Sequence, residues 1–139
     1  MELTYDTLGE KRNELRQKAM EVTKKCRFLK STTYVGVAVC SNRGNIYVGC
    51  NFDFEFGIAV HGEESAINNM VINSIDKDEL LDIVYIYVPQ RKQFTPCGNC
   101  RDKLRLFAAD KENLIIYVDN GDNVRVYSLS ELIPHYPIR

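Results

Sequence analysis

Apolar residues near the start of the chain recur at helical spacing. Leu8, Leu15, Ala19, Val22 and Cys26 fall three, four or seven residues apart on a charged background, which predicts an amphipathic helix from about Tyr5 to Phe28. Beyond it the pattern changes. Tyr34 to Val39 and Asn45 to Cys50 are β-rich runs separated by the turn formers Ser41-Asn42-Arg43-Gly44, and they predict a hairpin. Gly49 to Val60 has two glycines, several aromatics and no steady period, so an irregular loop is expected there. Helical spacing returns from His61 through Ala66, Ile67, Met70 and Val71. Asp82 to Val88 forms a compact apolar strand stopped by Pro89. A second short helix carries Cys97, Cys100, Leu104 and Phe107. Strands at Leu114 to Val118 and Val124 to Tyr127 flank the Asp119-Asn120-Gly121-Asp122 turn, and Ser130 is placed to cap a last helical turn. The order α, β, β, α, β, α, β, β predicts an α/β fold of three layers, α-β-α, around a mixed five-stranded sheet. No repeat or linker divides residues 1–139, so one domain is expected.

Composition narrows the partners. Eighteen Lys and Arg stand against nineteen Asp and Glu, for a formal net charge of -1. That balance offers no general attraction for nucleic acid or for a membrane surface. The first thirty residues lack the continuous apolar core of a secretory signal, and no later run is long enough to span a bilayer, so the cytoplasm is the expected location. Five cysteines are an odd number for a disulfide framework. Cys26, Cys40 and Cys50 sit among apolar or small neighbours and read as small buried hydrophobes. The close pair Cys97 and Cys100 reads instead as metal ligands or a redox couple.

Two segments carry chemistry: His61-Gly62-Glu63 at one predicted helix start and Pro96-Cys97-Gly98-Asn99-Cys100 at another. Residues three apart on a helix share a face, so both cysteines can close on one ion. A catalytic zinc takes three protein ligands and keeps one position open, and His61 is placed to be the third. A helix start also favours anions, which is expected to lower the thiol pKa values. Zinc in such a site makes water acidic enough to act as a nucleophile near neutral pH. Glu63, two positions past His61, takes a different direction and is free to carry protons. A closed structural zinc site would need a fourth ligand from Cys26, Cys40, Cys50 or His135, none of which makes a second close pair. A redox role would need a thioredoxin-like context, which Pro96 and the Gly98-Asn99 spacer do not supply.

At these residues the chain resembles the cytidine deaminase family, whose ordered His-x-Glu and Pro-Cys-x-x-Cys motifs are the general pattern of zinc nucleobase deaminases. Val60-His61-Gly62-Glu63-Glu64-Ser65-Ala66-Ile67 resembles the zinc-and-glutamate motif of the branch that uses histidine. Thr95-Pro96-Cys97-Gly98-Asn99-Cys100-Arg101 resembles the paired-cysteine motif, and Gly49-Cys50-Asn51-Phe52-Asp53-Phe54 the substrate loop. Tyr34-Val35-Gly36-Val37-Ala38 is similar to the preceding strand motif, so the resemblance runs from about Tyr34 to Phe107.

The resemblance implies a cytidine deaminase-like fold and one Zn2+ per chain held by His61, Cys97 and Cys100. It implies Glu63 as the catalytic proton carrier, and Asn51 and Asp53 on the ribose hydroxyls; both are also common turn residues. It implies a small cytosine nucleoside, cytidine or deoxycytidine, as substrate, and a homo-oligomer, in so short a chain a tetramer. In members with three cysteine ligands an arginine after the glutamate offsets the added charge. Here Glu64 stands there beside a neutral histidine ligand, and that compensation is neither present nor required.

Departures from the pattern concern the substrate. Thr33-Tyr34 replaces a Phe-Pro pair, Asp53 is one methylene shorter than the usual glutamate, and Asp102 replaces a glutamine. Blasticidin S or another modified cytosine compound is therefore the alternative substrate. A zinc-stabilised binding module without turnover and a nucleic-acid-editing enzyme are the readings from other classes. Phe52, Phe54 and Phe56 are candidates to pack on the base, on a neighbouring subunit or in the core, whereas Arg101 and Asp102 read as a solvated pair with no catalytic role.

Overall fold

The computed structural model describes residues 1–28, 33–54, 59–89 and 91–134. In chain order the elements are β1 (Glu2–Leu3), α1 (Glu10–Val22), β2 (Arg27–Phe28), β3 (Gly36–Ser41), β4 (Ile46–Cys50), β5 (Phe52–Asp53), β6 (Ala59–Val60), α2 (Gly62–Asn73), β7 (Leu81–Tyr87), α3 (Gly98–Phe107), β8 (Ile115–Asp119), β9 (Val124–Ser128) and α4 (Leu129–Leu132).

Strand periodicity sorts the core into two sides. Val37 and Val39 of β3, Val84 and Ile86 of β7, and Ile116 and Val118 of β8 pack with Ala66, Ile67 and Met70 of α2 and with Leu104 of α3. The intervening Ala38, Cys40, Tyr85 and Tyr117 pack with Leu15 and Ala19 of α1. Adjacent strand residues point to opposite faces, so central strands covered on both sides are apolar throughout. The result is the expected three-layer α-β-α arrangement. Its sheet runs β1-β9-β8-β7-β3-β4, with β7 and β8 parallel and the other neighbours antiparallel.

That sheet has six strands, not five. The addition is β1, whose Glu2 and Leu3 pair with Arg125 and Val124; two residues are too few to show a period. The expected irregular loop contributes β5 and β6, which form a second small sheet with β2. The first helix is also shorter than its apolar spacing suggested. Gly9, the N-cap at φ 84°, separates the preceding turn from the helix, in a positive-φ conformation that glycine adopts without steric cost. Tyr5–Thr7 and Thr23–Lys25 are separate 3-10 turns. The last helix is capped by Ser128, not Ser130. Ser128 Oγ accepts from the Glu131 N–H, and Glu131 Oε1 accepts from the Ser128 N–H, a reciprocal capping box. Cys40 is buried as expected, but Cys26 and Cys50 are only half-buried.

Two devices fix the helices on the sheet. On one face Gly49 lets α2 approach β4, since a Cβ there would lie 2.2 Å from the Ala66 nitrogen. Asn69 Nδ2 adds a 2.9 Å bond to the Val48 carbonyl. On the other face, the fully buried Asp119 accepts from Arg16 Nε, Tyr5 Oη and Tyr85 Oη. No helix among the described residues is long and apolar enough to cross a membrane.

Candidate active site

His61 is the N-cap of α2 and Cys97 the N-cap of α3, each in extended conformation as the chain turns into helix. Packing α2 against α3 on the same sheet face brings these two starts together. His61 Nδ1 lies 3.2 Å from Cys100 Sγ and 3.3 Å from Cys97 Sγ, and the three donor atoms all lie within 4.8 Å of one another. A tetrahedral zinc with ordinary Zn–S and Zn–N bonds spaces its ligands about 3.5–3.8 Å apart. The two nitrogen–sulfur separations are a few tenths of an ångström shorter, within a small side-chain adjustment of that geometry. Cys100 is buried and Cys97 exposed, while the His61 side chain is 46% exposed. The three donors therefore form a shallow cup with one open side.

Glu63 is buried beside this cup at 2% exposure, and its Oε1 has no hydrogen-bond partner among the described residues. Burial raises its pKa, against the lowering effects of Cys100 and His61. Burial, reinforced by Glu63, likewise pushes the Cys100 thiol well above its usual range. Loss of solvation and the neighbouring Glu63 thus work against the thiolate that a helix start favours. Two buried acids side by side, facing a histidine and a second thiol, are a donor set whose charges a divalent cation would balance. The residues therefore fit zinc.

His61, Glu63 and Cys97 line a cavity of ≈ 200 Å³ together with Asn51, Asp53 and Phe94. The expected proton carrier, ribose contacts and two of the three expected metal ligands thus meet here, with the third, Cys100, buried beside His61 and Cys97. Asn51 is partly committed to structure: its Nδ2 donates to the Thr33 carbonyl and its Oδ1 accepts from the Val35 N–H. Phe52 lines the cavity and tilts against Phe54, with ring centroids 5.6 Å apart. Phe56 and His135 lie outside the described residues.

Several contributors escaped the sequence reading. Val35, Phe94 and Thr95 line the cavity; Val35 and Thr95 fall inside the family-like motifs but bear no reactive group that marks them, and nothing in the local pattern of Phe94 sets it apart. Arg101 is no solvated residue. Its guanidinium donates to the Pro96 carbonyl, the Thr95 hydroxyl and the Leu132 carbonyl, holding the loop that delivers Cys97. Lys103, one turn beyond Cys100, donates to Glu64 Oε2. Glu64 Oε1 in turn accepts from the His61 N–H at 3.1 Å.

The sequence model for the cytidine and deoxycytidylate deaminase zinc-binding region matches residues 9–116. Over 89 residues the chain is 32% identical to a cytidine deaminase of Mycoplasma genitalium, a match covering 63% of this chain and 65% of that protein. Over 85 residues it is 33% identical to a cytidine deaminase of Vibrio vulnificus, covering 59% of this chain and 26% of that protein. The matches thus span less than two thirds of either relative. The fold is similar to the crystal structure of cytidine deaminase from Burkholderia pseudomallei, with TM-score 0.75 and 23% identity over 90% of this chain and 98% of that one. It is equally similar to the cytidine deaminase from Mycobacterium leprae, with TM-score 0.75 and 23% identity over 91% of this chain and 100% of that one.

Proposed function

Since the chain belongs to the cytidine and deoxycytidylate deaminase family, we propose that it hydrolyses the 4-amino group of a cytosine nucleoside, converting cytidine or deoxycytidine and water to the uracil nucleoside and ammonia. The observation that carries this reading is the convergence of His61 Nδ1 with both cysteine sulfurs beside the buried Glu63, whose Oε1 has no hydrogen-bond partner among the described residues. His61, Cys97 and Cys100 would hold one zinc ion per chain, which when bound makes water nucleophilic near neutral pH.

The remaining steps belong to the chain's own side chains. Glu63 takes one proton from the water that attacks C4 and delivers it to ring N3. It then moves the proton left on the new oxygen to the amino group, which departs as ammonia as the C4 carbonyl forms. Burial keeps this carboxyl away from bulk water, so that the protons it handles are those of the reactants. Asp53 would accept from a ribose hydroxyl, and the Asn51 Nδ2 hydrogen not used on Thr33 would donate to one. Phe52 and Phe94 supply an apolar wall for the base. Residues 1–139 act as one domain in this reading, working in the cytoplasm in pyrimidine salvage, and the chain assembles as a homotetramer.

A panel of cytidine, deoxycytidine, cytosine, blasticidin S and single-stranded oligonucleotides, followed by ammonia release, tests the reading. Turnover of a cytosine nucleoside is expected, and Glu63→Gln should reduce kcat by about 10²–10⁴-fold while zinc stays near one per chain. Turnover confined to blasticidin S or to oligonucleotides, or full activity in Glu63→Gln, would overturn it.

A further inference from the structure

Between the two helix starts lies a relay of charged groups that the reaction itself does not use. Lys103 Nζ donates to Glu64 Oε2, and Glu64 Oε1 accepts from the His61 backbone N–H at 3.1 Å. The same carboxylate oxygen is 3.9 Å from His61 Nδ1, and that nitrogen faces both sulfurs. Lys103 is three residues beyond Cys100, on the same face of α3. The pair therefore ties the cap of α2, which bears His61, to the helix that bears Cys100. We propose that Glu64 and Lys103 form a positioning clamp that sets His61 against Cys97 and Cys100 before the metal arrives. This inference rests on the zinc reading of those three residues.

Local chemistry supports a committed ion pair. Burial works against the Glu64 carboxylate, but its bonds from Lys103 and the His61 N–H prevail and lower its pKa. The bond to Glu64 raises the pKa of Lys103. Simple attraction for the cation does not explain the pair. Metal binding displaces thiol protons, so the net charge entering the site is small and a neighbouring neutral pair gains little from it. A clamp acts differently, by reducing the freedom that His61 would lose on binding. It also lets Glu64 cap α2 while its charge is matched by Lys103. Residues that orient metal ligands typically account for 10–100-fold in affinity. The lower end applies here, because the Glu64 and Lys103 side chains are 23% and 38% exposed and water weakens such pairs.

The test is a double-mutant cycle read by zinc affinity. The full chain and its Lys103→Met, Glu64→Gln and doubly substituted forms are stripped of metal and retitrated with zinc against a chromophoric chelator. Lys103→Met is expected to weaken zinc binding about tenfold. Glu64→Gln should lose a similar factor, and the double variant no more than the larger single loss, because either change opens the same clamp. Lys103→Arg should recover affinity to within about threefold, which keeps the test decisive if Lys103→Met folds poorly. Affinity in Lys103→Met within twofold of the parent, or losses that multiply in the double variant, overturns the clamp and leaves the zinc site standing. A parent chain that takes up no zinc overturns the site and the clamp together.

Discussion

The seating of α2 on β4 can be tested by adding a single methyl group. In Gly49→Ala the new Cβ would lie 2.2 Å from the Ala66 nitrogen and 2.7 Å from the Gly62 oxygen. The first of these falls short of ordinary 3.4 Å contact by about 1.2 Å. Both obstacles are backbone, so no side chain can swing aside and α2 itself must lift. Overpacking of this kind costs about 2–3 kcal/mol, which for a chain of this length lowers the Tm by roughly 6–15 °C. The same lift moves His61 and Glu63 relative to Cys97 and Cys100, and about 1 Å of misplacement can cost about 100-fold in rate. Thermal unfolding and steady-state ammonia release are the assays. Gly98→Ala is the stability control, since nothing lies within 4 Å of its Cβ position, and its Tm should stay within about 2 °C of the parent's. A Gly49→Ala chain that melts within about 2 °C of the parent and keeps its turnover would refute this account of how α2 is seated.

Two further predictions concern the opposite face of the sheet. Asp119→Ala should cost about 3 kcal/mol, the low end for breaking a buried ion pair, because Arg16 keeps 17% side-chain exposure and its stacking over Tyr5 at 3.9 Å. Chemical denaturation measures this loss; less than about 1 kcal/mol would mean the network is not anchoring α1. Burial, together with the Asp119 carboxylate to which it donates, pushes the Tyr5 phenol up from 10.0 to about 12. An unfolded chain releases that proton first, so the contribution is complete below pH 10 and is lost as the pH rises through about 12. Denaturation midpoints measured from pH 9 to pH 12 should fall less steeply in Tyr5→Phe than in the parent, and identical slopes would rule this linkage out.

Elements that repeat their period over several turns or pairs were legible in the sequence. The apolar alternation of β3, β7 and β8 and the helical spacing of α2 and α3 follow from burial, which acts residue by residue. What failed to show was set by backbone geometry or by partners distant in sequence. The apolar spacing of α1 runs on through Leu8 and Cys26 although the helix stops short of both, because Gly9 turns the entry and a 3-10 turn ends the exit. The strand at Glu2–Leu3 exists because β9 has an open edge for it. Nothing within those two residues says so.

At the site the legible part is local and the illegible part is relational. His61 and Glu63, or Cys97 and Cys100, sit within one helical turn, so their spacing alone states which can share an ion and which must point elsewhere. Asn51 shows the opposite case. Its motif gives the expectation of a substrate contact, but its side chain also ties together residues 33 and 35. Substituting it would therefore disturb the loop as well as any ribose contact. Arg101 and Lys103 follow the cysteine motif directly, but their partners Leu132 and Glu64 lie on other elements. The cysteine donors stand 36 and 39 residues from His61, and the packing of α2 and α3 on one face of the sheet spans this separation. Ala66, Ile67, Met70 and Leu104 pack into the same side of the core as β3 and β7. The helix starts that bear the three donors are therefore placed by the same core that seats the helices on the sheet.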